Sequence, residues 1–167
     1  MAPKAPKTPV RSDSTTPEVG DRARAFSLVD QRGDTVRLSS FKGRRVLVYF
    51  YPRADTPGCT TQACGLRDIA GDISDTVIIG ISTDPVAKLA RFDDKYSLGF
   101  TLLSDPDHVV AEKYGVWVEK KLYGKTSMGV ARSAFLISPT GRIERAWPKI
   151  SPAGTPTALL AALDEVS

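Results

Sequence analysis

The sequence predicts an α/β protein with a mixed central sheet and helices on both of its faces. From residue 20 onward, runs of strand character alternate with runs of helical character, which is typical of this class. The runs 46–51 and 76–82 are apolar and rich in β-branched residues, as expected of buried central strands. Two further pairs of runs flank short turn sequences and predict hairpins, which add antiparallel strands at the edges.

Length and composition indicate one ordinary soluble domain. The chain has 167 residues, 41% of them hydrophobic and 25% charged, which excludes disordered, collagen-like and disulfide-dense proteins. The net charge of +4 is too small for a dedicated nucleic-acid binder. Neither a membrane span of about 20 apolar residues nor a secretory signal is visible. We therefore expect a cytoplasmic protein with neither a membrane nor a specific nucleic acid as partner.

The first 19 residues differ from the rest. They contain four of the twelve prolines and five serines and threonines, with few apolar side chains. This composition predicts a flexible tail, residues 1–19, ahead of a domain over 20–167. Basic, hydroxyl-rich ends also serve as organellar addresses, so targeting by this tail stays open.

The first half of the domain begins with a predicted hairpin. Residues 26–30 and 35–38 form its strands around the turn sequence at 31–34. The central strand 46–51 runs into a loop, 52–58, that contains two prolines and a glycine. A helix should follow over 59–70, with Gly71 just beyond its end.

The second half repeats strand and helix. After the strand 76–82, Asp84 and Pro85 predict an N-cap and a first helical residue for a helix reaching Tyr96. A short strand at 100–103 leads to a second cap signal, Asp105 with Pro106, and a helix that stops at Gly115. Residues 133–138 and 142–147 predict a hairpin around 139–141, and 157–166 a terminal helix with its leucines on one face.

Two cysteines and one histidine limit the chemistry. Since a structural zinc site needs about four such ligands, and a secreted disulfide framework needs more cysteines, we expect neither. In a reducing compartment, a close pair of cysteines is more often catalytic or redox-sensing than structural.

Cys59 stands at the start of the predicted helix. Free N–H groups and the positive end of the helix dipole favour an anion there, so a thiolate should be stabilised and reactive. The alternative is a small buried hydrophobe, as most free cysteines are. The rigid backbone built by Pro52, Pro57 and Gly58 just ahead favours the reactive interpretation.

Cys64 follows five residues later. On a regular helix, Cα atoms five residues apart are about 8.7 Å from each other. A disulfide tolerates about 7 Å at most, so these sulfurs can bond only if a turn of helix unwinds. That property suits a redox cycle better than a structural staple, and the spacing differs from the C-x-x-C of disulfide oxidoreductases. Burial as inert core is the alternative for Cys64.

Two other residues are candidates for the same site. Thr56 is predicted to be the N-cap, with Pro57 at the first helical position, and its hydroxyl can also donate to an anion. Arg132 precedes a predicted strand. A single arginine is ordinarily a solvated surface group, but a thiolate that reacts with an oxygen substrate needs a fixed cation nearby.

Pro52, Thr56 and Cys59 form the pattern Pro-x-x-x-Thr-x-x-Cys, which resembles the active-site motif of peroxiredoxins. With Cys64 added, the chain is similar to the peroxiredoxin Q subfamily, also called bacterioferritin comigratory proteins. Residues 102–117 resemble the family's segment after the fifth strand, and 129–137 resemble the strand that supplies its arginine. The resemblance covers about residues 18–166. The longer tail, and Ala131 at a position that is often larger and polar, depart from the family pattern.

The resemblance implies a thioredoxin-like fold with an N-terminal β-hairpin extension. It implies a thiol peroxidase for hydrogen peroxide and organic hydroperoxides, recycled by thioredoxin or a similar dithiol. No metal or other cofactor is implied, so the cysteine itself is expected to be the redox centre. In this family pattern Cys59 is the peroxidatic and Cys64 the resolving cysteine, and the two form an intrachain disulfide. Thr56 and Arg132 bind peroxide and hold the thiolate, and Pro52 shields the pocket.

Two rival functions remain open from the residues. One is a thioredoxin-like disulfide reductase, against which the five-residue cysteine step argues. The other is a redox-gated binding or chaperone-like module, in which unwinding of the cysteine helix exposes a surface. An intrachain resolving cysteine removes the need for a partner subunit, so we expect a monomer, with a dimer left open.

Overall fold

The computed structural model describes residues 16–166, which form a seven-stranded sheet, a separate two-stranded sheet and four helices. The strands are β1 (Ser27–Asp30), β2 (Thr35–Arg37), β3 (Val46–Phe50), β4 (Val77–Ser82), β5 (Thr101–Ser104), β6 (Trp117–Leu122), β7 (Lys125–Val130), β8 (Ser133–Ile137) and β9 (Ile143–Trp147). The helices are α1 (Pro57–Asp68), α2 (Val86–Tyr96), α3 (Val109–Lys113) and α4 (Gly154–Val166). Short 3-10 turns occupy Leu38–Phe41 and Ala70–Asp72.

The large sheet is mixed, as predicted. Its order is β2-β1-β5-β4-β3-β8-β9, with β3, β4 and β5 parallel and the remaining pairs antiparallel. Val48 at its centre lies opposite Ile79 on one side and Phe135 on the other. The N-terminal hairpin joins the sheet through β1, which pairs with β5.

Strand β3 separates two hydrophobic cores. Leu47, Tyr49 and Tyr51 point to the face covered by α1, α2 and α4. The alternate residues, Val46, Val48 and Phe50, point to the face that α3 covers. The aliphatic and Phe side chains among them each contribute about 1.5–3 kcal/mol when fully buried. Because β3 is buried on both faces, the loop that follows it leaves the sheet from a rigid support.

All four helix starts differ from the predicted positions, beginning with α1 and α2. Helix α1 begins at Pro57, two residues earlier than expected, and ends at Asp68. The prediction of Asp84 as an N-cap is wrong, because Pro85 takes that position and α2 begins at Val86. The Asp84 carboxylate instead accepts hydrogen bonds from the Ala54 N–H (2.7 Å) and the Ser82 hydroxyl (2.8 Å). The buried hydrogen bonds of the Asp84 carboxylate therefore outweigh the local N-cap pattern.

Asp105 accepts hydrogen bonds from N–H groups of helix α3 although it does not occupy the N-cap position. The residue in the N-cap position is His108, three residues later than the predicted cap. The Asp105 carboxylate nevertheless accepts from the Val110 and Ala111 N–H groups, at 3.0 and 2.9 Å. The helix is short and ends at Lys113, and Gly115 follows with a positive φ of 69°.

The hairpin of β6 and β7 was not predicted. Its turn residues, Tyr123 and Gly124, have φ values of 54° and 77°, the type I′ combination of two left-handed residues. This turn normally carries Asn-Gly or Asp-Gly, so Tyr-Gly is a weak signal. The terminal helix was predicted to begin at 157, but α4 begins at Gly154.

Residues 1–15 of the predicted tail lie outside the described residues. The other part of that segment packs on the domain: Pro17 is buried, and the Thr16 hydroxyl donates to the Gly115 carbonyl at 3.4 Å. Of the helices between residues 16 and 166, none combines the length and apolar character that a membrane span requires.

Candidate active site

A pocket of about 490 Å³ opens where the chain leaves β3 and β4. It brings together four of the five candidate residues from the sequence, and Cys64 is not part of its lining. The lining residues are Pro52, Arg53, Thr56, Cys59, Thr83, Trp117, Lys120, Met128, Gly129, Val130 and Arg132.

Cys59 is the third residue of α1 and is 1% exposed. Its sulfur lies 3.4 Å from Nη1 of Arg132, which donates a hydrogen bond to it. A guanidinium and the unpaired N–H groups of a first helical turn both favour a negative charge. The arrangement therefore places a cation and free N–H donors against a Cys59 sulfur that is shielded from bulk water.

Arg132 immediately precedes β8 and is held on several sides. Besides Cys59, its Nη1 donates to the Oε1 atom of Gln62 at 2.8 Å, and its carbonyl accepts from the Ile150 N–H at 3.1 Å. Gly58 permits this approach, since a Cβ atom there would lie 3.1 Å from Nη2 of Arg132. The guanidinium is thus fixed against the first turn of α1.

Thr56 occupies the N-cap position with Pro57 next to it, as predicted, but its side chain makes no capping hydrogen bond. Its hydroxyl donates to the Arg53 carbonyl at 2.9 Å. The proton that we expected to face an anion is therefore engaged within the loop. The oxygen lone pairs remain available as acceptors towards the pocket.

The loop ahead of α1 is tied to α2 and to β4. The Asp55 carboxylate accepts from the Lys95 ammonium at 3.1 Å and the Tyr96 hydroxyl at 3.0 Å. The hydrogen bond from Lys95 lowers the pKa of Asp55, and the bond from Tyr96 lowers it further. Together with the Ala54 contact to Asp84, these bonds give the loop between Pro52 and Cys59 a defined shape.

Cys64 lies two turns along α1 and is partly buried against the core. Both cysteines are free thiols, and the helix between them is continuous. In this state the spacing of about 8.7 Å between their Cα atoms keeps the sulfurs from bonding.

Two residues that the sequence did not single out extend the site inward. Gln62 is fully buried, and its amide nitrogen donates to the Thr155 hydroxyl of α4 at 2.9 Å. A polar residue one turn after Cys59, on the same helix face, was the available signal for Gln62. Nothing local marks Thr155, which lies 93 residues further along the chain.

Lys120 enters the pocket from the β6–β7 hairpin. Its ammonium donates to the Val130 carbonyl at 2.5 Å, and its stem crosses Gly129, where a Cβ would lie 3.1 Å from Cδ. Burial lowers the pKa of Lys120, the Arg132 charge lowers it further, and Cys59 opposes both. With Arg53 and Arg132, it gives the lining three cations and no carboxylate.

Comparison with known proteins agrees with this geometry. The model of the AhpC/TSA family matches residues 19–146. The peroxiredoxin Bcp of Escherichia coli is 55% identical over 129 residues, which cover 76% of this chain and 83% of the relative. Between residues 16 and 166, no group of three or more His, Cys, Asp and Glu side chains is placed to hold a metal ion.

Solved structures give the same result. Peroxidoxin BcpB of Mycobacterium tuberculosis superimposes with a TM-score of 0.80 at 35% identity, covering 90% of this chain and 99% of that one. A bacterioferritin comigratory protein of Xanthomonas campestris, studied for its alkyl peroxide reduction activity, has a TM-score of 0.79 at 35% identity, over 84% and 90% of the two chains. The predicted thioredoxin-like fold is confirmed. The chain therefore belongs to the AhpC/TSA family and is a thiol peroxidase of its peroxiredoxin Q, or Bcp, group.

Proposed function

We propose that Cys59 is the peroxidatic cysteine and that its substrates are hydrogen peroxide and organic hydroperoxides. The observation that carries the proposal is the 3.4 Å contact between the Arg132 guanidinium and the Cys59 sulfur, inside a pocket also lined by Pro52 and Thr56. The alkyl peroxide reduction studied in the Xanthomonas campestris relative supports organic hydroperoxides as substrates.

The first step is attack by the Cys59 thiolate on the terminal oxygen of the hydroperoxide. The O–O bond breaks, the sulfur becomes a sulfenic acid, and the leaving oxygen takes a proton and departs as water or an alcohol. Arg132 and the first-turn N–H groups stabilise the charge that develops on the oxygens. Thr56, whose own proton is held by Arg53, accepts a hydrogen bond from the peroxide O–H. Pro52 shields the pocket from solvent.

In the second step, Cys64 acts as the resolving cysteine. Its thiolate attacks the Cys59 sulfenic sulfur, the S–O bond breaks, and the hydroxide takes a proton from solvent and leaves as water, so that an intrachain disulfide forms. Helix α1 must unwind locally for this, and its sequence favours unwinding. Gly58 and Gly65, with two threonines and two cysteines, give its twelve residues low helix propensity.

The third step returns both cysteines to thiols. An external dithiol attacks the Cys59–Cys64 disulfide, and its own two sulfurs are oxidised to a disulfide. We propose thioredoxin or a similar dithiol protein for this role, and a monomer as the working unit. The absence of a carboxylate from the pocket lining leaves the chemistry to the cysteine and the cations around it.

The test is single-turnover oxidation of the reduced protein by hydrogen peroxide. Wild type, Cys59→Ser and Cys64→Ser are compared by stopped flow, with intact mass read after one equivalent. We expect wild type to lose two hydrogens, Cys59→Ser to stay unreacted, and Cys64→Ser to gain oxygen. Cys59→Ser reacting as fast as wild type would exclude Cys59 as the peroxidatic residue. An assay of insulin reduction tests the disulfide reductase, which would be active there and indifferent to peroxide.

A further inference from the structure

A chain of four hydrogen bonds leads from the start of α4 to the Cys59 sulfur. The Thr155 hydroxyl donates to the Ser151 carbonyl at 2.8 Å and accepts from the Gln62 amide nitrogen at 2.9 Å. The Gln62 amide oxygen accepts from Arg132 at 2.8 Å, and Arg132 donates to Cys59 at 3.4 Å. Each of the side-chain atoms that connect these residues takes part in a hydrogen bond.

Which groups donate and which accept in this series of hydrogen bonds follows from the single hydroxyl proton of Thr155. Because that proton is given to the Ser151 carbonyl four residues earlier, the hydroxyl can only accept from Gln62. The amide of Gln62 must therefore turn its nitrogen to Thr155 and its oxygen to Arg132. In the opposite orientation, the amide N–H₂ would face the guanidinium, and two donors would oppose each other.

Burial makes this constraint effective. Gln62 is 0% and Thr155 1% exposed, so water is not at hand to replace a lost partner. The two helices are also closely packed, since a Cβ on Gly65 would lie 2.7 Å from the Pro156 ring. The backbone bond from Ile150 to Arg132 attaches the segment before α4 to the same arginine. Few other arrangements of Gln62 are available in this space.

We propose that Thr155 is a positioning residue for the peroxide reaction, acting through the amide of Gln62 to aim Arg132 at Cys59. The inference rests on the proposed role of Cys59. It places one determinant of thiolate reactivity on the C-terminal helix, outside the pocket and its sequence motif. It also links the reactivity of Cys59 to the folded state of α1, because unwinding of this helix separates Gln62 from Thr155 and releases Arg132.

The experiment compares Thr155→Val, which keeps the shape and removes the hydroxyl, with Thr155→Ser, which retains it. Thr157→Val, at an exposed position of the same helix, is the matched control. The single-turnover rate with hydrogen peroxide is measured across pH, and thermal unfolding is followed in parallel. We expect Thr155→Val to react about tenfold more slowly and to need a higher pH for half-maximal rate. Thr155→Ser and Thr157→Val should keep the wild-type profile.

A second pair of variants tests the route through Gln62. In Gln62→Glu both carboxylate oxygens are acceptors, so either orientation of the side chain accepts from Arg132. The position of the guanidinium then no longer depends on Thr155. Thr155→Val should then lower the single-turnover rate much less in the Gln62→Glu background than in wild type. An equal loss in both backgrounds would overturn the proposed route, as would a Thr155→Val protein whose melting temperature falls while its rate and pH profile stay unchanged.

The two proposals fail separately. If Cys59→Ser reacts like wild type, the proposed function falls and the inference falls with it. If Cys59→Ser is inactive while Thr155→Val matches wild type, only the role of Thr155 is rejected.

Discussion

The guanidinium of Arg132 donates a hydrogen bond to the sulfur of Cys59 across a separation of 73 residues in sequence. One residue comes from the first turn of α1 and the other from the start of β8. The pairing of β3 with β8 brings these positions together, because Phe50 at the end of β3 lies opposite Ser133. The contact between Arg132 and Cys59 is thus assembled by strand register rather than by local sequence.

Replacement of Arg132 should have the largest effect on rate after replacement of Cys59 itself. We expect Arg132→Met to lower the single-turnover rate with hydrogen peroxide by about 10²–10³, the usual loss for one oxyanion donor. Arg132→Lys should recover only part of it, because a Lys ammonium is a point charge on a flexible stem and does not reproduce the planar, fixed N–H₂ group whose Nη1 donates to both Cys59 and Gln62. Arg91→Met, at an exposed position on α2, controls for the lost charge. A fully active Arg132→Met enzyme would contradict the site.

Loss of Cys64 should leave the sulfenic acid of Cys59 exposed to a second peroxide. We expect Cys64→Ser to react once at nearly the wild-type rate and then to accumulate sulfinic acid as peroxide is raised. Intact mass should show two added oxygen atoms, whereas wild type under the same conditions should be mainly disulfide. A wild type that forms no disulfide, or a Cys64→Ser protein that overoxidises no more than wild type does, would argue against the resolving role.

Gly65 should be required by packing against α4. Alanine ordinarily strengthens a helix by about 1 kcal/mol over glycine, but here its Cβ would lie 2.7 Å from the Pro156 ring. We expect Gly65→Ala to lower the free energy of unfolding by about 1–3 kcal/mol. Gly65→Ala with Pro156→Ala should recover most of that loss, and Gly71→Ala, where nothing lies within 4 Å, serves as control. Urea unfolding measures all three, and a stabilised Gly65→Ala protein would refute the packing argument.

Lys120 should make stability depend on pH at the alkaline end. Burial is the largest cause of its lowered pKa, so the folded protein holds this proton less tightly than the unfolded chain. Between the folded pKa and about 10.4, the unfolded value, the unfolded state binds more protons, and stability rises with pH. The free energy of unfolding of wild type, relative to Lys120→Met, should therefore increase as pH rises through this window. Lys121→Met, the exposed neighbour, should show no such trend, and a flat or falling difference for Lys120→Met would be inconsistent with the shift.

Much of the fold was predictable from the sequence because its signals are local. The apolar run that became β3, the turns of the two hairpins in the large sheet and the position of Thr56 before α1 all depend on neighbouring residues. The hairpin of β6 and β7 was missed because its Tyr123-Gly124 turn lacks the usual residues. Asp84 was assigned to a cap because its buried partner Ala54, 30 residues earlier in the chain, is not visible in a local pattern.

The sequence by itself determined the class of fold, the family, and the placement of Cys59 and Cys64 on one helix. These follow from short-range periodicity and from a motif whose residues lie within thirteen positions of each other. Only the tertiary structure decided what surrounds the sulfur. Gln62, Thr155 and Lys120 were not predicted, and Arg132 was predicted only through the family resemblance. Their contacts depend on strand register and helix packing. Such contacts join residues that are distant along the chain, so no local pattern specifies them.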